Sequence, residues 1–133
     1  MTTKYRLIEF PYFSDDRGDL IPFELDSRFP FEVKRVYLVT GNDGQVRGGH
    51  AHKIEDELFV AASGSITALV NDGVGDHEIL LDAKNKALVV RKDCWHEFYN
   101  FSPDAVMLCF SSTHYLPGEG NYIMNKEDFL SRS

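Results

Sequence analysis

The stretch VRGGHAHKIEDELF, from Val46 to Phe59, sets two imidazoles two residues apart behind a Gly-Gly pair, with Glu57 five residues after the second. Histidine changes charge near neutral pH, so His50 and His52 together can take up and return a proton without a cofactor. A later histidine, His96, extends the group to three imidazoles and one carboxylate, a donor set that suits Fe, Mn, Ni or Zn. A polar stripe on a strand is the third reading. Residue types and spacing alone leave these three open.

The elements that must position these residues read as short strands with turns between them. KYRLIEF alternates polar and apolar residues, DDRG is a turn, and DLIPFEL is a second extended piece. FEVKRVYLVT is a strong strand whose period of two sets Val33, Arg35, Tyr37 and Val39 on one face. GNDGQ is a loop. ELFVAASG and SITALVNDG read as a hairpin turning near Ser63-Gly64. HEILLDAKNKALVVRK reads as strand, turn and strand, and HEFYNFS and AVMLCFSS add two more. Only NKEDFLSR looks helical, with Asn125 as N-cap, acids in its first turn and Arg132 in its last. Eight to ten strands at such spacing imply an all-β sandwich or barrel. The same period puts His50 and His52 on one face, and His96 can join them from a later strand.

With 133 residues, 43% of them hydrophobic, the chain suits one globular domain over residues 1–133. The net charge of −7 and the lack of a basic cluster argue against a nucleic-acid partner. A few arginines still suffice for an anionic ligand. Cys94 and Cys109 form no CxxC pair and read as free thiols of a reducing compartment. The first residues carry no apolar core of a signal peptide, and no apolar run reaches membrane-spanning length. A cytoplasmic protein with no membrane partner is expected.

The central motif resembles the cupin superfamily. Its pattern G(X)5HXH(X)4E(X)6G is matched by Gly44, His50, His52, Glu57 and Gly64. The second cupin motif ends in H(X)3N, matched by His96 and Asn100, while its preceding PXG is replaced at Arg91 and Asp93. The resemblance implies a cupin jelly roll, here with a short C-terminal helix. A narrower likeness spans nearly the whole chain. FPYFSDDRGDL, VKRVYLV, RGGHAHK, WHEFYNFSPDAVMLCFSS and YIMNKEDFL are similar to the nucleotide-sugar 3,4-ketoisomerases. That family converts TDP-4-keto-6-deoxy-D-glucose into a 3-keto-6-deoxyhexose, on the way to a 3-amino sugar of surface polysaccharide such as lipopolysaccharide O-antigen.

The resemblance implies roles. His52 is the base and proton carrier, with His50 its partner. Tyr37 is the hydroxyl donor near the reacting oxygens. Arg47 binds pyrophosphate or fixes His50. Arg17, Arg35 and Lys53 are candidates for diphosphate contact, since guanidinium forks suit phosphate oxygens. Trp95 and His96 line the pocket or its wall. The pair Arg17-Gly18 is similar to members giving the galacto product. The family further implies a homodimer, often with exchanged N-terminal strands, and catalysis without a metal or other cofactor. Glutamine is common in the family where this chain has Glu57. Two alternatives stand beside this reading. One is a metal-dependent cupin enzyme using His50, His52, Glu57 and His96. The other is a non-catalytic module that binds a sugar nucleotide.

Overall fold

The computed structural model describes residues 4–42 and 44–132. Twelve strands and one helix are formed among them: β1 (Tyr5–Glu9), β2 (Phe13–Asp15), β3 (Gly18–Leu20), β4 (Arg35–Val39), β5 (Arg47–His52), β6 (Glu57–Ser63), β7 (Ile66–Asn71), β8 (Asp76–Leu81), β9 (Lys86–Val90), β10 (Trp95–Tyr99), β11 (Val106–Ser111), β12 (Tyr122–Ile123) and α1 (Lys126–Ser131). Two antiparallel five-stranded sheets, ordered β1-β9-β6-β11-β4 and β12-β5-β10-β7-β8, make a cupin-like jelly roll. The strands β2 and β3 form a separate hairpin that joins neither sheet.

The pleat sorts side chains by parity. On β6, Phe59 and Ala61 face the interior between the sheets, while Leu58 and Val60 face outward into a second cluster. That outer face is covered by Phe10, Phe23, Phe29, Phe31 and Val33 of the long N-terminal segment. A strand covered on both faces reads as the continuous apolar run seen at β6, not as an alternation. A third cluster of Ala51, Trp95, Ile123 and Phe129 seats α1 on the outside of the other sheet.

Three details differ from the sequence reading. The expected hairpin at Ser63-Gly64 is not a hairpin: β6 and β7 lie in different sheets, and the turn is a corner between them. Gly64 makes it possible with φ of 69°, and a Cβ there would come within 2.3 Å of Ser102 Oγ. Similarly, β8 and β9 are split between the sheets. DLIPFEL is a strand only to Leu20, because Pro22 offers no N–H and Phe23 turns onto the core. Finally, Arg132 lies just beyond α1 as its C-cap, while Asn125 caps the start by accepting from Asp128 N at 3.0 Å.

Two motif positions gain a conformational reason. Asp93, standing where the cupin pattern has glycine, has φ of 61°, and Asn100 has φ of 53°. Both belong to the residue types that best tolerate the left-handed region. The departure at Asp93 therefore keeps the turn into β10.

Candidate active site

The site is a cavity of about 190 Å³ between the sheets. One sheet supplies His50 and His52 from β5, His96 from β10 and Tyr122 from β12, and the other supplies Arg35 and Tyr37 from β4 and Glu57 from β6. Phe59, Phe98 and Met107 form its apolar floor. The Gly-Gly pair of RGGHAH has a role here. Gly48 and Gly49 both have left-handed φ, 77° and 78°, next to a register shift in β5–β10 pairing after His96. That bulge leaves His50 directly across from His96. The His50 ring is stacked on His52 with centroids 4.7 Å apart and is edge-on to His96 at 4.8 Å. Tyr122 stands against both β5 rings, 4.9 Å from His50 and 4.8 Å from His52.

Two carboxylates flank the imidazoles. The Tyr37 hydroxyl donates to Glu57 Oε2. Glu57 Oε1 is 3.5 Å from His52 Nδ1 and 3.6 Å from His96 Nε2. Burial pushes the Glu57 carboxyl up to about 7 against the pull of His52, so it can hold or release a proton near neutrality. Burial, reinforced by Glu57, raises the Tyr37 phenol far above its ordinary value. Burial and the neighbouring His52 lower His50 to about 4. His96 is held well below the usual imidazole range by burial first, then by His50 and His52. The second carboxylate, Glu55, lies in the turn between β5 and β6 and has a fully buried side chain. Burial works to raise it, but the nearby His52 ring and hydrogen bonds from Ser111 and Asn121 outweigh this and hold it at about 2. His52 Nδ1 is 3.1 Å from Glu55 Oε1, yet off the angle of a well-formed hydrogen bond, and both ring nitrogens are buried without a hydrogen-bond partner.

The comparisons with known proteins point to one family. The family model FdtA, described as WxcM-like, C-terminal, matches residues 3–133. A TDP-4-oxo-6-deoxy-alpha-D-glucose-3,4-oxoisomerase from Aneurinibacillus thermoaerophilus is 36% identical over 93% of this chain and 88% of its own. The chain belongs to the nucleotide-sugar 3,4-ketoisomerase family. Among solved structures, a 3,4-ketoisomerase from Helicobacter canadensis superposes with a TM-score of 0.88 at 35% identity, covering 97% of this chain and 96% of that one. A point mutant of the 3,4-ketoisomerase QdtA from Thermoanaerobacterium thermosaccharolyticum, in complex with TDP-4-keto-6-deoxyglucose, has a TM-score of 0.89 at 27% identity, covering 98% of this chain and 94% of that one.

Against that family pattern, the structure brings His50, His52, Tyr37, Arg35, Arg47 and His96 to one cavity. The Arg35 guanidinium reaches Glu55 Oε2 at 3.0 Å and lies over the Tyr37 ring. Three expected residues lie elsewhere. Trp95 has the opposite parity to His96, so it packs under α1 and donates to Glu97 Oε2 at 2.7 Å. It is a wall of the helix cluster and not of the cavity. Lys53 follows the last residue of β5 and lies in an outer groove, donating to Glu119 O at 2.7 Å. Arg17, at the tip of the β2–β3 hairpin, is 87% exposed and paired with Asp15. Reading the sequence missed Glu55 and Asn121, and gave Tyr122 no role. Glu55 and Asn121 sit in connections, where no strand period marks an inward side chain.

His50, His52, Glu57 and His96 also meet the test for a cupin metal set, since one ligand atom from each lies within 4.8 Å of the others. The unpartnered nitrogens of His52 fit the same test.

Proposed function

We propose that this chain is a TDP-4-keto-6-deoxy-D-glucose 3,4-ketoisomerase that moves the carbonyl by histidine-mediated proton transfer. The observation that carries this reading is the cavity in which imidazoles, a Tyr–carboxyl pair and two arginines converge. The C4 ketone acidifies the C3 proton. His52 takes that proton as the C3–H bond breaks, and the electron pair forms the C3=C4 bond of an enediolate with charge on O4. Tyr37 meets that charge with its hydroxyl. O4 gains a proton, O3 loses one, and C4 is protonated by the imidazolium, leaving the carbonyl at C3. Glu57, poised near neutrality, suits the hydroxyl-proton exchange through Tyr37. The cavity is below the range of pockets that enclose a whole drug-sized ligand, which supports the sugar ring entering and the nucleotide remaining outside. Arg47, exposed at the cavity, and Arg35 are the cations for the diphosphate.

Arg17 is exposed, paired with Asp15 and not among the residues lining its own chain's cavity. With Tyr12, Phe13 and Leu20 exposed around it, this supports a homodimer in which the N-terminal hairpin passes to the partner and brings Arg17 to its site. Sedimentation checks this: a dimer is expected, and Phe13→Asp should shift it to monomer. The Arg17-Gly18 pair supports the galacto product. Among the described residues no helix is long and apolar enough to cross a membrane. Two free, buried thiols support a cytoplasmic enzyme, and the two packed sheets of the described residues support one cupin domain.

The donor set favours a second reading, a metal-dependent cupin. His50, His52, Glu57 and His96 would hold the ion, which would supply Lewis-acid polarisation of the ketone. One experiment separates the readings. The keto sugar nucleotide is mixed with the protein in D₂O, with and without EDTA, and followed by NMR. Expected is a 3-keto product deuterated at C4, formed equally fast in EDTA, with coupling constants of the galacto form. Activity abolished by EDTA and restored by metal would establish the second reading. Neither exchange nor product would leave a binding module.

A further inference from the structure

We propose that Glu55 is a positioning residue that holds His52 in one tautomer and balances its charge when it carries the substrate proton. The inference rests on His52 being the proton carrier. Glu55 is two residues before the cupin-motif glutamate, in a turn, with no exposed side-chain surface. Its two oxygens face opposite jobs. Oε2 accepts from Ser111 Oγ at 2.5 Å and from Arg35 Nη2 at 3.0 Å. Oε1 accepts from Asn121 Nδ2 at 2.8 Å and faces His52 Nδ1 at 3.1 Å. Three distant parts of the chain thus supply donors to one anion, which is how a carboxylate is kept ionised and immobile in the interior.

Asn121 is itself braced. Its carbonyl accepts from Lys53 N at 2.6 Å and its side-chain oxygen from Ile54 N at 3.4 Å, so the turn carrying Glu55 is tied to the segment before β12. An oriented carboxylate opposite Nδ1 favours a proton on that nitrogen. Both ring nitrogens are buried without a hydrogen-bond partner, but only Nδ1 has Glu55 at 3.1 Å, so a proton on Nδ1 leaves Nε2 with its lone pair as the base. When Nε2 takes the C3 proton, the imidazolium already faces a fixed anion. Glu55 itself takes no proton, because Ser111, Arg35 and Asn121 occupy it as donors. Glu57 is farther from Nδ1, at 3.5 Å, and is engaged by Tyr37. The two carboxylates therefore divide the work: Glu55 orients and Glu57 exchanges.

The test uses the full-length protein. Glu55→Gln is expected to lower kcat on the order of 10²- to 10⁴-fold while KM and the affinity for TDP stay within about threefold. Glu55→Asp, which keeps the charge but shortens the reach, should fall between. A purely structural role would not give that kcat-against-KM split or that ranking. A second readout needs no Glu55 variant. Side-chain ¹⁵N NMR of the wild type at pH 8, with His52 assigned by comparison with His52→Asn, should show the Nδ1–H tautomer. A wild type with His52 in the Nε2–H tautomer, or a folded Glu55→Gln with wild-type kcat while His52→Asn is inactive, would overturn the proposal. Full activity in His52→Asn would instead overturn the proton-carrier reading beneath it.

Discussion

The Tyr37 side chain shows how one residue draws its chemistry from parity. On β4 it points inward with Arg35 and Val39, while Val36 and Leu38 point out and remain exposed. This alternation is visible in FEVKRVYLVT, and so is that of the two histidines, whose spacing can be read as one face of a strand. The ring of Tyr37 packs at the core, and its hydroxyl donates to Glu57. Tyr37→Phe should therefore fold normally, bind TDP as before and lose on the order of 10²- to 10³-fold in kcat, checked by steady-state kinetics beside a binding titration. An unchanged kcat would remove the hydroxyl from the reaction. Glu55 was not legible in the same way. Parity has no meaning in a turn, and IEDE offers three carboxylates in four positions, of which the fold exposes Asp56 in part and buries the other two. Only the donors from Ser111 and Asn121, 56 and 66 residues away, single Glu55 out.

For strands and turns, period revealed existence better than partnership. Nearly every expected strand formed, but the β6–β7 turn read as a hairpin because a Gly-containing break between two apolar runs looks alike whether the strands pair or part. The difference lies in distant residues. Ser65 N is bonded to Ser102 Oγ at 2.9 Å, and Ser63 Oγ donates to Asp104 O, so the corner is pinned by the β10–β11 loop. Gly64 sits against that loop, where an added Cβ would also meet Ala105 Cα at 2.7 Å. Gly64→Ala thus combines a left-handed backbone penalty with a backbone clash. A loss of about 2–4 kcal/mol is expected, measured as a lower urea midpoint at unchanged m-value. A variant as stable as the wild type would mean that the corner relaxes without cost. Trp95 follows the same logic from the other side. Its parity against His96 was readable, but what lay behind it, α1 with Phe129, was not.

Taken together, the jelly roll places an unusual load of ionisable groups in its interior, and the molecule's response to acid follows from their sum. In the folded state His50 is lowered to about 4 and His96 well below its ordinary value, both chiefly by burial. Unfolding restores each to about 6.5, so between pH 6.5 and 4.5 the unfolded chain binds two protons that the folded one does not. Glu57 opposes this. Its folded value is about 7 against 4.5 when free, so over the same window the folded chain binds one proton more. Two minus one leaves one proton favouring the unfolded state, a loss of about 1.4 kcal/mol per pH unit on acidification. Below pH 4.5 Glu55, lowered to about 2, adds a loss of its own as it is protonated on unfolding first. Urea unfolding across pH 7 to 4 should therefore show stability falling with pH. In Glu57→Gln the opposing contribution is gone, and the slope between pH 6.5 and 4.5 should roughly double. A wild type whose stability is flat or rises on acidification over that window would show that the buried histidines are charged in the folded protein, and with it that the cavity is wetter than its packing indicates.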